Sequence, residues 1–115
     1  VDEIAGFFPD LRIMMTIGGW PWIPDAVGSV IRHKNLFINM EIIDPAKLAI
    51  PGQGYEMLLY AIENNFPDKF CFASDWAMMG QPLEEIIRHV EELPLSDQIK
   101  DNILYYNAKR FFELE

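Results

Sequence analysis

Asp75 is the residue whose type and place most invite chemistry. It follows the apolar run Phe70-Cys71-Phe72-Ala73 and Ser74 in the stretch FCFASDWAMMG, Phe70 to Gly80. Desolvating a carboxylate is costly unless the charge is paired. Asp75 therefore either caps the loop or the next helix through local backbone N–H groups, as aspartates often do, or serves a site. Asn39 and Glu41 end a second apolar run, and Thr16, Gly18, Gly19 and Trp20 end a third. The Gly18-Gly19 pair reads as a tight turn, since GGWPW lacks the third glycine of a dinucleotide fingerprint and the GK[ST] of a P-loop. Trp20, Trp22 and Trp76 read as wall or packing residues, or as the lining of an aromatic pocket. His33 at a helix end and His89 within a helix read as structural or exposed, and Met14, Met15, Met78 and Met79 as packing.

These residues share one requirement, a strand to deliver them. Leu11 to Ile17 (LRIMMTI), Leu36 to Met40 (LFINM) and Phe70 to Ala73 are near-continuous apolar runs, the pattern of strands buried on both faces. Helical spacing separates them. Asp2 to Phe8 forms a short helix, and Pro24 opens another with Ala26, Val27, Val30 and Ile31 inward. Tyr55 to Phe66 carries Leu58, Leu59 and Ile62, and a helix begins at Pro82 with Glu84 and Glu85 in its first turn. Ser96 caps a last helix, Asp97 to Leu114, with Ile99, Ile103, Leu104 and Phe111 inward. The strand runs start 25 and 34 residues apart, close to a βα unit of about 30 residues. The fold class is α/β, three parallel βα units with right-handed crossovers plus a C-terminal helix. In such folds ligands bind at the carboxyl ends of the strands.

Bulk properties narrow the function. With 115 residues, 50% hydrophobic and 13% aromatic, the chain can bury one core. A net charge of -9 disfavours nucleic acid and anionic membranes, because both are bound by neutralising phosphates with Lys and Arg. The single cysteine, Cys71, excludes an intrachain disulfide and a cysteine-based zinc motif, and fits a reducing compartment. No run reaches the roughly 18 apolar residues of a membrane span. The expected setting is cytoplasmic.

Four stretches carry a family resemblance over nearly the whole chain. FPDLRIMMTIGGWPW (Phe8 to Trp22), RHKNLFINMEI (Arg32 to Ile42) and DKFCFASDWAMMGQPLEEII (Asp68 to Ile87) resemble the sixth, seventh and eighth strand segments of the amidohydrolase-related metal-dependent hydrolases and decarboxylases, which are (β/α)8 barrels. PLSDQIKDNILYYNAKRFFEL resembles that family's tail. The resemblance implies that Asp75 binds a catalytic divalent metal, zinc first and manganese as the alternative, or accepts a proton from metal-bound water. It also implies that the remaining ligands, a His-x-His pair and a fifth-strand histidine, lie upstream of Val1. Thr16 stands where the family carries a strand-six histidine, and a hydroxyl cannot replace an imidazole as acid or base near neutral pH.

The expectation is the C-terminal part of a metal-dependent hydrolase or carboxy-lyase, incomplete on its own, since a whole barrel takes about 250 residues. Its substrate would be a small carboxylated or cyclic molecule, with Trp20, Trp22, Asn39 and Trp76 shaping the pocket. Two other readings stay open: a noncatalytic barrel scaffold with Thr16 as the degenerate position, and a self-contained three-stranded ligand-binding domain. Three strands cannot close, so exposed strand edges predict a homo-oligomer or association with the missing barrel half.

Overall fold

A computed structural model describes residues 1–114. Helix α1 (Asp2–Phe7) precedes strand β1 (Ile13–Met15), helix α2 (Ile23–Arg32) and strand β2 (Leu36–Asn39). Helix α3 (Glu56–Asn64) leads to strand β3 (Phe70–Cys71), the single turn α4 (Trp76–Met79) and helix α5 (Leu83–Glu91). The chain then enters α6 (Asp97–Asp101), a π turn (Asn102–Tyr106) and α7 (Asn107–Phe112). The sheet order is β1-β2-β3, all parallel, in the register Met15↔Ile38 and Asn39↔Cys71.

Leu36 and Ile38 of β2 are fully buried in one cluster with Val30 of α2, Leu58 and Ile62 of α3, and Val90 of α5. Strand alternation turns Phe37 to the opposite face, where Phe111 of α7 meets it edge to face at 5.2 Å. Burial of these side chains is the main favourable term, about 1.5–3 kcal/mol each.

Three polar side chains tie the layers. Buried Asn35 donates its side-chain amide to the carbonyls of Ala5 (3.2 Å), Phe8 (3.0 Å) and Leu11 (2.8 Å), fastening α1 and the entry to β1. Lys69 Nζ donates to Val30 O (2.9 Å) and His33 O (2.8 Å), occupying carbonyls at the end of α2 that the helix leaves unpaired. Burial holds the Lys69 ammonium below its ordinary range. Buried Asn107 does the corresponding work at β3, donating to Pro67 O (3.1 Å) and Phe70 O (2.7 Å).

Several expectations are corrected. β1 is only half-buried, because it lies at the sheet edge with β2 on one side and, among the described residues, no strand on the other. Pro82 is the residue before α5 and not its first helical residue. The last helix is capped as expected, Ser96 Oγ accepting from Ile99 N at 3.3 Å, but the π turn interrupts it. The outer edge of β3 is not open. Lys69 O faces β2, where Ile38 N donates to it, so the alternation directs Phe70 O and Phe72 N the other way. There Asn107 Nδ2 reaches Phe70 O, and Ile103 O accepts from Phe72 N at 2.9 Å.

Candidate active site at the strand ends

The register aligns the three carboxyl ends. Each is followed by a non-glycine residue in the left-handed region: Ile17 (φ 62°) after β1, Ile42 (φ 71°) after β2 and Asp75 (φ 42°) after β3. Such residues cost about 1–3 kcal/mol each and concentrate at functional sites. Here all three fall on the face of the sheet where parallel α/β folds bind ligands.

Asp75 has the most telling environment. It precedes α4, and its backbone carbonyl accepts from Met78 N (2.9 Å) and Met79 N (3.0 Å). Its side chain caps nothing. A capping aspartate needs extended backbone so that its oxygen reaches the N–H groups of the first turn, and Asp75 is left-handed instead. Asp44 shows the contrast: at φ -58° and ψ 125°, its Oδ1 accepts from Ala46 N at 2.9 Å. Asp75 Oδ2 is buried with no hydrogen-bond partner, one of two side-chain atoms so placed among the described residues. The other is Oε1 of Gln81, just beyond α4, a residue that no periodicity or motif in the sequence singles out.

The remaining candidates are arranged less tightly. Asn39 is half-buried, and its Oδ1 accepts from Glu41 N at 3.1 Å, an Asx turn that directs the chain out of β2. Thr16 is exposed at the end of β1, with no side-chain hydrogen bond to the turn that follows. Trp20, Trp22 and Trp76 are 58%, 69% and 64% exposed, free to form a wall but packed into none here. Trp22 borders a hollow of about 380 Å³ with Met15 and Ala26 on the flank of α2, which neither Asp75 nor Asn39 lines. The Gly18-Gly19 turn is a packing device, not a phosphate cradle. A Cβ on Gly18 would stand 2.8 Å from Met40 Sδ, and one on Gly19 would overlap Ala26 Cβ.

His89 does not face away from the loops that follow the strands. Its Nδ1 pairs with Asp44 Oδ1 at 2.8 Å, and its Nε2 lies 3.9 Å from Glu85 Oε1, joining α5 to the loop after β2. The pairing was illegible because 45 residues separate the partners. His33 Nε2 bonds Asp2 Oδ1 at 2.8 Å, which fits a structural role. Burial pushes the Cys71 thiol up to about 12, so it packs as a hydrophobe. Among the described residues no cluster of three or more His, Cys, Asp or Glu could hold a metal ion by itself, and no helix is long and apolar enough to cross a membrane.

Comparison with known proteins places this geometry. A family model described as Amidohydrolase matches residues 1–114. Among solved structures, an uncharacterized TIM-barrel protein from Bordetella bronchiseptica matches with a TM-score of 0.80 at 26% identity, over 97% of this chain and 37% of that one. No curated protein matches. The chain thus spans little more than a third of its structural neighbour, and its three parallel βα units correspond to part of a TIM barrel. With the family model covering nearly all of it, the chain belongs to the amidohydrolase family.

Proposed function

We propose that this chain supplies the last three βα units of a metal-dependent hydrolase or carboxy-lyase barrel, with Asp75 as one ligand of a divalent metal. The observation that carries the reading is the buried, unpartnered Oδ2 of Asp75, held in left-handed backbone beyond β3. A bare buried carboxylate oxygen is costly, and a cation is a partner that removes the cost. Zinc is the first candidate and manganese the second. When bound, such a metal lowers the pKa of a water or polarises a substrate carbonyl or carboxylate.

A catalytic zinc ordinarily takes three protein ligands. The other ligands therefore belong to the remainder of the barrel. Within this chain, Trp20, Trp22 and Trp76 supply exposed aromatic surface for a small carboxylated or cyclic substrate, and Asn39 a polar group at the neighbouring strand end.

The test is metal analysis of the full-length protein beside Asp75→Ala. Losing a direct ligand should weaken metal affinity by about a hundredfold or more, beyond the cost of losing an outer partner. Equal metal content and affinity in the two proteins would sink the assignment.

Thr16 favours a second reading, a noncatalytic scaffold. It offers an exposed hydroxyl where an acid–base residue would act. A full-length protein that binds no zinc or manganese, and lacks a His-x-His at the end of a first strand, would decide for the scaffold.

A further inference from the structure

The connection from β2 to α3, Met40 to Tyr55, is far longer than the roughly two to six residues of an ordinary βα loop. It leaves the carboxyl end of β2 through a turn closed by Ile43 N, which donates to Met40 O at 3.0 Å. Ile42 takes the third place of that turn with φ 71°. Turns with positive φ there ordinarily use glycine or asparagine, and a β-branched residue in that conformation is an outlier. Ile42 is 51% exposed, so its own packing does not account for the strain. Such a conformation persists only where the flanking structure imposes it.

Two restraints flank the turn. On the strand side, Asn39 Oδ1 accepts from Glu41 N at 3.1 Å, which presents Asn39 Nδ2 as the donor group at the strand end. On the far side, Asp44 Oδ1 accepts from Ala46 N at 2.9 Å and pairs with His89 Nδ1 of α5 at 2.8 Å. An ionised carboxylate only accepts hydrogen bonds, so Nδ1 is the donor. The Asp44 and His89 side chains are 15% and 16% exposed, and a charge-assisted hydrogen bond so sheltered from water is stronger than a surface pair. The pair joins the loop of the second βα unit to the helix of the third, and neither edge of the sheet takes part in it.

We propose that His89 is a positioning residue for the strand-end site: through Asp44 it holds the strained turn after β2 and so sets where Asn39 and Glu41 stand. This rests on the reading of the strand ends as the substrate face. His89 acts through the turn and not on the substrate. Its effect is to aim Asn39 Nδ2 at an acceptor oxygen of the ligand, and a group that binds must be held within a fraction of an ångström by its supports.

The test is amide hydrogen exchange on the full-length protein, read by mass spectrometry at Glu41, Ile43 and Ala46, with the amide of Ile38 within β2 as reference. Loss of one charge-assisted hydrogen bond in His89→Ala should speed exchange at the three turn amides by about tenfold and leave Ile38 within about twofold. His89→Phe keeps a ring but has no donor, should follow His89→Ala, and serves if that variant fails to fold. His89→Asn, whose amide nitrogen can stand where Nδ1 stands, should restore most of the protection. In an Asp44→Ala background, His89→Ala should add nothing further at Ile43.

Equal acceleration at Ile38 would reduce the effect to general destabilisation and overturn the proposal. So would unchanged turn amides in His89→Ala and His89→Phe, or acceleration that His89→Asn does not reverse, since the bond to Asp44 would then not be what holds the turn. Exchange is measured with neither metal nor substrate added, so a failed metal assignment for Asp75 and a failed role for His89 are told apart.

Discussion

At the scale of single residues, Gly19 and Gly52 separate two demands that glycine meets. Both are left-handed, φ 80° and 81°, but Gly19 faces Ala26 whereas nothing lies within 4 Å of a Cβ on Gly52. Gly52→Ala should cost about 1 kcal/mol, from backbone strain alone. Gly19→Ala adds overpacking and should cost about 3 kcal/mol. Urea midpoints of the two variants check this, and equal shifts would refute the packing role. Cys71 makes a second residue-level case. With its pKa pushed up to about 12 it should resist iodoacetamide at pH 8 while folded and react once unfolded. A raised folded pKa also fixes the sign of the pH effect: the residue's contribution is intact below its ordinary value of 9.0 and is lost as pH climbs toward 12. For Asp75, the apolar run made its strand-end placement legible. Its bare oxygen was not, because whether a carboxylate finds a partner depends on backbone conformation and on residues distant in sequence.

At the scale of elements, apolar runs and helical spacing were sufficient to find β2, β3, α2, α3 and α5, which turn apolar residues to the core, and also β1, which is half-buried, and α1, whose buried residue is Ala5 and whose end Pro9-Asp10 marks. What the spacing missed has physical causes. β1 carries the same apolar pattern as β2, yet position in the sheet, not composition, decides which strand has two neighbours. The π turn leaves the outward pattern of Asp97 to Phe112 helical, since one inserted residue shifts the register without removing the apolar side chains. The four-residue α4 lies between two left-handed residues, Asp75 and Gly80, and is too short for any periodicity to mark. The asparagine staples were likewise invisible: Asn35 and Asn107 reach partners 24 to 40 residues away.

At the scale of the molecule, the radius of gyration of 13.4 Å equals that of an ordinary domain of this length, about 13 Å. Compactness alone therefore does not distinguish a self-contained domain from a piece of a barrel. The edges do. β3 is covered by the C-terminal segment, while β1 has a strand on one side only. A chain of these 115 residues should associate through β1, the more so as salt screens its net charge of -9. Met14→Lys should shift sedimentation toward monomer, and Tyr105→Lys, on the exposed face of the π turn, should not. An unchanged profile for Met14→Lys would show that another surface drives association. The sheet order has a consequence for biosynthesis. Each strand pairs with its neighbour in sequence, so the units can dock in the order they leave the ribosome, except that β3 waits for Ile103 and Asn107. Those two partners emerge about thirty residues after Asp75.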